Sequence, residues 1–289
     1  MRARCVSIDD LDGIAGEPWV DRSRRPYVDG KRAFIPVKDG FSAETELPER
    51  MPYRGRGYQM VGDIALIHGD LPTPADLNAL VGWARPRGVI HVGGYAGPMR
   101  IPVCTRLRGT GGVVRHRESG CTFVLDPERV MFAQGNREEK ARMASVSGKS
   151  ERIADMFAGI GYFTVPCARA GAQVHAMELN PEAFFYLRQN IIENDVQGRV
   201  RAECGDCRDL LRGFYTRVIM GHFDSPSMMT DALAHTGPGS TLHVHGTSPA
   251  EPAIRRAVRE AGFAAVITER RVKKYAPGRW HKVWDVVLG

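Results

Sequence analysis

A chain of 289 residues is long for one ordinary domain and short for three, and at about 100 to 200 residues per domain it implies two units. Hydrophobic residues at 43% and charged residues at 25% match a globular chain, which excludes a disordered polymer and a membrane-embedded protein. Forty Lys and Arg against 33 Asp and Glu leave +7 at pH 7, a balance that favours an anionic partner.

The N-terminal MRARCVSIDDLDGIAGEP meets acids before any apolar run of signal-peptide length, and no stretch of 18 apolar residues follows. A cytoplasmic chain with reduced thiols and no membrane partner is therefore expected. Of the six cysteines, only Cys204 and Cys207 are close, with no second pair at zinc-finger spacing, so no metal site is expected.

Gly and Pro are dense up to about residue 55, which predicts an irregular leader over residues 1–55 with short hairpins. From Tyr58 the pattern changes: VGDIALIH reads as a buried strand, LPTPADLNALVGWAR as a capped helix, and VIHVGGY and TFVLD as further strands. This predicts a small α+β unit over residues 56–130. Within residues 85–117 there are seven arginines and no acid, including Arg100, Arg106, Arg108 and Arg115. Globular surfaces normally mix signs, and the guanidinium fork suits phosphate and base stacking, so the stretch reads as a cationic face for RNA or another polyanion. A helical connector carrying Lys140 and Arg142 occupies residues 131–150.

Residues 151–289 alternate strand and helix. ERIADMF, AQVHAME, RVRAECGD, RVIMGHF and STLHVHGT read as strands. In the helix after the second, Asn180 is the N-cap, Pro181 the first helical residue, and Phe184, Leu187 and Ile191 share a face. The last segment, AAVITERRVKKYAPGRWHKVWDVVL, reads as two strands around an APG turn. The fold class is α/β: a mostly parallel, doubly wound sheet with a C-terminal antiparallel hairpin, preceded by the smaller α+β unit. His243 and His245 lie on one side of their strand and read as a polar face.

The first strand runs into Asp155, Phe157, Gly159 and Gly161, where glycines let the backbone approach a ligand at a strand C-terminus. Acids recur at the ends of the next two strands, Glu178 and Asp206. A dinucleotide fingerprint would read GxGxxG, whereas this chain reads GIGYFT preceded by an acid. That acid would repel a phosphate and suits a cationic nucleoside such as S-adenosylmethionine, the cofactor and group donor expected here.

DMFAGIGYFT followed by HAMELNPEAFFYLRQNIIEND resembles the class I S-adenosylmethionine-dependent enzymes that modify the tRNA guanosine 3′ of the anticodon, over about residues 58–289. Two sister families share the pattern: the tRNA guanine-37 N1-methyltransferases and the archaeal wybutosine-synthesis aminocarboxypropyltransferases. The segment Phe132 to Lys140, FAQGNREEK, and the acidic ELNP at Glu178 to Pro181 are similar to the second, and the N-L-P of the methyltransferases is replaced by Gly221-His222-Phe223-Asp224-Ser225-Pro226. Ala133 departs from the family's serine, a position expected to touch cofactor.

The resemblance implies a Rossmann-like class I methyltransferase fold. It implies transfer of the 3-amino-3-carboxypropyl group to C7 of 4-demethylwyosine at position 37 of tRNA-Phe, with methylthioadenosine released. The alternatives are guanine-37 N1-methyl transfer and a noncatalytic, cofactor-stabilised tRNA-binding protein. It places Lys140, Glu178, Asp206 and Cys207 around the cofactor, with Lys140 and Asn136 on its polar arm. His222 and Asp224, after the fourth strand, are candidates for a general base and equally read as a loop histidine and a helix cap. Lys273, Lys274, Tyr275, Arg279, Trp280 and His281 mix cations with aromatics at the last hairpin, as RNA contact requires. The partner is tRNA, and a monomer is expected.

Overall fold

A computed structural model describes residues 1–14, 16–24, 26–47, 53, 55–133, 136–247, 249–276 and 278–289, without the side chains of residues 12, 275 and 276. Gln134 and Gly135 of the FAQGNREEK segment, Pro277 of the APG turn and the Tyr275 side chain lie outside the described residues. The chain divides into two compact units, Met1–Gly55 and Arg56–Gly289.

The first unit contains β1 (Arg2–Ser7), a short α1 (Leu11–Ile14), β2 (Tyr27–Asp29), β3 (Arg32–Pro36) and β4 (Thr45–Glu46). They form one antiparallel sheet in the order β2-β3-β1-β4, with Val20, Ala33 and Ile35 in a small core of their own. The irregular leader expected from the sequence is thus corrected to an ordered sheet. Two of its strands are three and two residues long, too short to display a period.

The second unit begins with β5 (Gln59–Val61), β6 (Ile64–His68), α2 (Pro74–Ala84), β7 (Gly88–Ala96) and β8 (Ile101–Gly109). Thr73 and Asp76 close a capping box at the start of α2. β5 to β8 form a mixed sheet in chain order, and β9 (Val114–Glu118) with β10 (Cys121–Leu125) forms a separate two-stranded ribbon. Then come α3 (Arg137–Val146), β11 (Arg152–Asp155), α4 (Thr164–Arg169), β12 (Gln173–Glu178), α5 (Pro181–Glu193), β13 (Val200–Cys204) and α6 (Cys207–Leu210). The chain ends with β14 (Arg217–Met220), α7 (Met229–Leu233), β15 (Thr241–Thr247), α8 (Glu251–Glu260), β16 (Ala265–Ala276) and β17 (Arg279–Leu288).

The seven-stranded sheet has the order β13-β12-β11-β14-β15-β17-β16. Its first five strands are parallel and the β16–β17 hairpin is antiparallel, as the alternation predicts. The strand order reverses between β11 and β14, the switch point where open α/β sheets bind ligands. One core of the sheet includes Ile153, Val174, Leu187 and Ile191; another includes Val218, Leu242, Ile254 and Trp284.

A third core runs from Ile64 and Ile90 through Phe123 and Phe132 to Tyr162 and Tyr186, so the small sheet, the ribbon and the connector pack as one body with the large sheet. Asn190 on α5 and Asn194, the residue that caps its C-terminal end, fasten the ribbon. Asn190, fully buried, accepts from Val124 N at 2.7 Å and donates to Val124 O at 3.2 Å and Ile160 O at 2.9 Å. Asn194 accepts from Thr122 N at 2.9 Å and donates to Thr122 O at 2.7 Å. Their amides thus satisfy an open strand edge that apolar side chains would leave unpaired.

Candidate active site

The chain leaves β11 at Asp155, which is fully buried. Its Oδ2 accepts from Thr164 Oγ1 at 2.7 Å, while Oδ1 is buried without a partner among the described residues. Burial pushes this carboxyl up to about 6, opposed by hydrogen bonds from Thr164 and Phe157 and assisted by the neighbouring Glu178. The loop that follows needs its glycines. Gly159 and Gly161 have φ of +57° and +102°, and a Cβ on Gly161 would stand 2.9 Å from Val165 Cγ2 and 3.2 Å from Leu187 Cδ1.

Glu178 closes β12 facing this loop. Its Oε2 accepts from Gly159 N at 2.7 Å and Oε1 from Asn180 N at 2.8 Å, and burial raises its pKa. One carboxylate therefore joins the glycine loop to the start of α5. The β7–β8 turn reaches the same place, since Asn180 Nδ2 donates to Met99 O at 3.0 Å. Asp206 caps α6 and forms a two-pronged pair with Arg208, Oδ1 to Nε at 3.0 Å and Oδ2 to Nη2 at 2.5 Å, which holds it below its ordinary value. Cys207 follows it, buried and pushed up to about 12, a packing thiol in contact with Met228 Sδ at 4.0 Å.

Lys140 lies buried beside Phe132 and Tyr162, its Nζ 5.1 Å and 4.8 Å from their ring centres, and pairs with Glu118 Oε1 at 2.7 Å. Burial lowers its pKa and Glu118 opposes that shift. Glu118 is a residue that sequence reasoning missed, because it stands at the end of a basic run, RHRE. Asn136, at the start of α3, holds a buried Oδ1 with no partner among the described residues. Ala133 is packed against the core that contains Phe132 and Tyr162.

Beyond β14, His222 stacks on Phe157, with ring centres 5.3 Å apart and planes at 26°. Its Nδ1 accepts from Asp224 N at 3.2 Å, and burial, with Arg100 nearby, lowers its pKa. A neutral ring that accepts at Nδ1 carries its proton on Nε2, and that Nε2 is buried without a partner among the described residues. His222 therefore offers a donor where a base would need a lone pair. The Asp224 side chain is 79% exposed, forms no helix-cap bond and lies 3.6 Å from His222 Nδ1.

His243 and His245 share a side of β15, but that side is buried rather than a polar surface. His243 bridges Asp285 and Arg217, joining α3 to the sheet through Arg142. His245 contacts His281 at 3.0 Å, and burial beside Lys273 lowers His281 to about 4.

The predicted RNA-contact cations divide into two groups. Arg106 and Arg115 are spent on carboxylates, Arg106 on Glu128 at 2.7 Å and Arg115 on both oxygens of Glu193. Arg108 donates to Asn78 Oδ1 at 3.1 Å. Arg100, with φ of +53°, lies over Tyr95 at 5.4 Å and reaches Met131 Sδ at 3.8 Å, its buried Nε having no partner among the described residues. Lys273 lies near enough to lower the pKa of both Lys140 and His281, and Lys273, Lys274 and Arg279 are all exposed.

Unpaired acceptors, a glycine loop at positive φ and an aromatic wall at strand C-termini fit a cationic nucleoside. The TRM5/TYW2 methyltransferase domain model matches residues 114–273. A Methanocaldococcus jannaschii protein named tRNA(Phe) (4-demethylwyosine(37)-C(7)) aminocarboxypropyltransferase is 33% identical over 244 residues, covering 80% of this chain and 97% of that protein. One from Pyrococcus horikoshii with the same name is 35% identical over 209 residues, covering 68% and 75%. The crystal structure of P. horikoshii TYW2 in complex with MeSAdo superposes with a TM-score of 0.71 at 28% identity, covering 82% of this chain and 92% of that one. That of M. jannaschii TYW2 in complex with AdoMet gives 0.64 at 28%, covering 80% and 98%. Trm5b from Pyrococcus abyssi gives 0.74 at 24%, a likeness of fold over 99% of both chains. The architecture is thus the Rossmann-like class I methyltransferase fold expected from the sequence.

Proposed function

The chain belongs to the TRM5/TYW2 methyltransferase-domain family, and from that membership we propose that it transfers the 3-amino-3-carboxypropyl group of S-adenosylmethionine to C7 of 4-demethylwyosine at position 37 of tRNA(Phe). The observation that carries this reading is the M. jannaschii aminocarboxypropyltransferase, matched over 97% of its length. S-adenosylmethionine, when bound, supplies a sulfonium with three electrophilic carbons, and C7 attack on the methylene of the amino-acid arm releases methylthioadenosine with loss of the C7 proton.

The residues divide the work of orientation. Asp155 presents its unpartnered Oδ1 to positive charge, and Glu178 takes the ribose hydroxyls while its loop bonds keep the carboxylate aimed. Asp206, Cys207, Phe157 and the Gly159–Gly161 turn bound the nucleoside. Lys140 serves the arm's carboxylate by exchanging it for Glu118, and Asn136 offers its free Oδ1 to the arm's ammonium. His222 gives an Nε2–H bond to the extruded base and does not take the C7 proton in this tautomer. Arg100, Lys273, Lys274 and Arg279 contact the anticodon backbone.

Among the described residues no helix is long and apolar enough to cross a membrane. The reading places a monomer in the cytoplasm with its tRNA. Incubation with S-adenosylmethionine and tRNA(Phe) bearing 4-demethylwyosine should yield methylthioadenosine on chromatography. Adenosylhomocysteine instead would mean methyl transfer.

A further inference from the structure

The amino-terminal ends of β11, β12 and β13 border a cavity of about 500 Å3. It lies at the opposite end of the sheet from the site above; β12 alone, at six residues, separates the two by roughly 17 Å. Arg152, Arg199, Arg201 and Arg212 line it.

Two of these guanidiniums, those of Arg152 and Arg199, are held by backbone carbonyls. Arg152 donates to the carbonyls of Arg212 at 2.9 Å and Phe214 at 3.2 Å, and lies 4.8 Å over the Tyr215 ring. Arg199 donates to Gly171 O at 3.0 Å. Neutral carbonyls orient an arginine without cancelling its charge. One carboxylate, Glu203, faces the group, and it is shared among Arg201 at 3.0 Å, His175 at 2.7 Å and Arg212 at 3.8 Å. The acid in the wall itself, Glu151, is paired with Arg217 at 2.7 Å. Burial keeps the His175 imidazole from adding charge of its own. Four arginines thus line one recess, and among the described residues the carboxylate that answers them, Glu203, is shared by Arg201 and Arg212.

We propose that this recess binds a phosphate group. Guanidinium forks grip phosphate oxygens two at a time, and forks already oriented by carbonyls lose little freedom on doing so. The group comes either from the RNA backbone, which rests on the tRNA reading above, or from a free phosphate-bearing ligand, which does not.

The test is the full chain with Arg199→Ala and Arg212→Ala combined, cofactor titration calorimetry confirming that the variant is folded. Two measurements follow: tRNA(Phe) anisotropy over a series of KCl concentrations, and thermal unfolding with added inorganic phosphate. If the RNA backbone is the source, the slope of log affinity against log salt falls by about 1 to 2 in the variant. If a free ligand is the source, inorganic phosphate raises the Tm of the wild type and not of the variant, with the salt slope unchanged. An unchanged slope together with no phosphate-dependent gain in Tm overturns the proposal. Should tRNA fail to bind the wild type, the tRNA reading falls while the phosphate titration still decides the recess.

Discussion

Asp155→Asn isolates the electrostatic idea on which the site rests. The carboxyl is fully buried, one oxygen has no partner among the described residues, and its folded pKa is about 6 against an ordinary 3.8. A carboxyl whose folded value exceeds its unfolded one binds more protons when folded. Stability from this group is therefore complete below 3.8 and is lost as pH rises through about 6. The loss amounts to about 3 kcal/mol once both states are ionised. Urea unfolding of the cofactor-free protein over this range should show wild type losing about 2 to 3 kcal/mol more than Asp155→Asn. A bound cation favours the ionised form, so S-adenosylmethionine affinity measured by calorimetry should rise with pH through about 6 in wild type and stay flat in the variant. Parallel stability curves, or a variant that binds as tightly as wild type at pH 8, would refute the role given to Asp155.

Three further substitutions test the scaffold. Asn190→Leu strands Val124 N, Val124 O and Ile160 O and should cost about 3 to 5 kcal/mol in urea unfolding, a loss below about 1 kcal/mol being the contrary result. Gly161→Ala forces a Cβ to 2.9 Å from Val165 at φ +102° and should cost about 2 kcal/mol or more, with cofactor affinity falling alongside Tm. Lys140→Met leaves the buried Glu118 with His116 alone, its Nε2 3.9 Å away, at about 3 kcal/mol; adding Glu118→Leu should recover most of that stability without restoring transfer. If the double variant is as unstable as the single, the pair is not what holds this corner together.

The parallel sheet was legible because its buried strands read as apolar runs and Asn180-Pro181 marks a helix start in plain view. Acids at successive strand ends were legible for the same reason, since strand boundaries fix where side chains emerge. Their partners were not. Arg106 finds Glu128 22 residues away and Arg115 finds Glu193 78 residues away, so a run of cations that looks unopposed along the chain is answered across space. Lys140 likewise finds Glu118 22 residues upstream. Arg199 and Arg201, in a stretch with acids close by, looked ordinary, yet the fold gathers them with Arg152 and Arg212 around one recess. Net charge by segment is a property of sequence; unpaired charge is a property of the fold. Asn190 and Asn194 gave one signal that could have been read: two amides four residues apart, at the last turn and the C-cap of an amphipathic helix, suit docking to a strand edge.

The most direct measurement of the central claim uses S-adenosylmethionine labelled separately in its methyl carbon and in the carboxyl carbon of its amino-acid arm, with tRNA(Phe) bearing 4-demethylwyosine. Carboxyl label should enter the tRNA and methyl label should leave in methylthioadenosine. Methyl label in the tRNA, with carboxyl label left on adenosylhomocysteine, would contradict aminocarboxypropyl transfer outright.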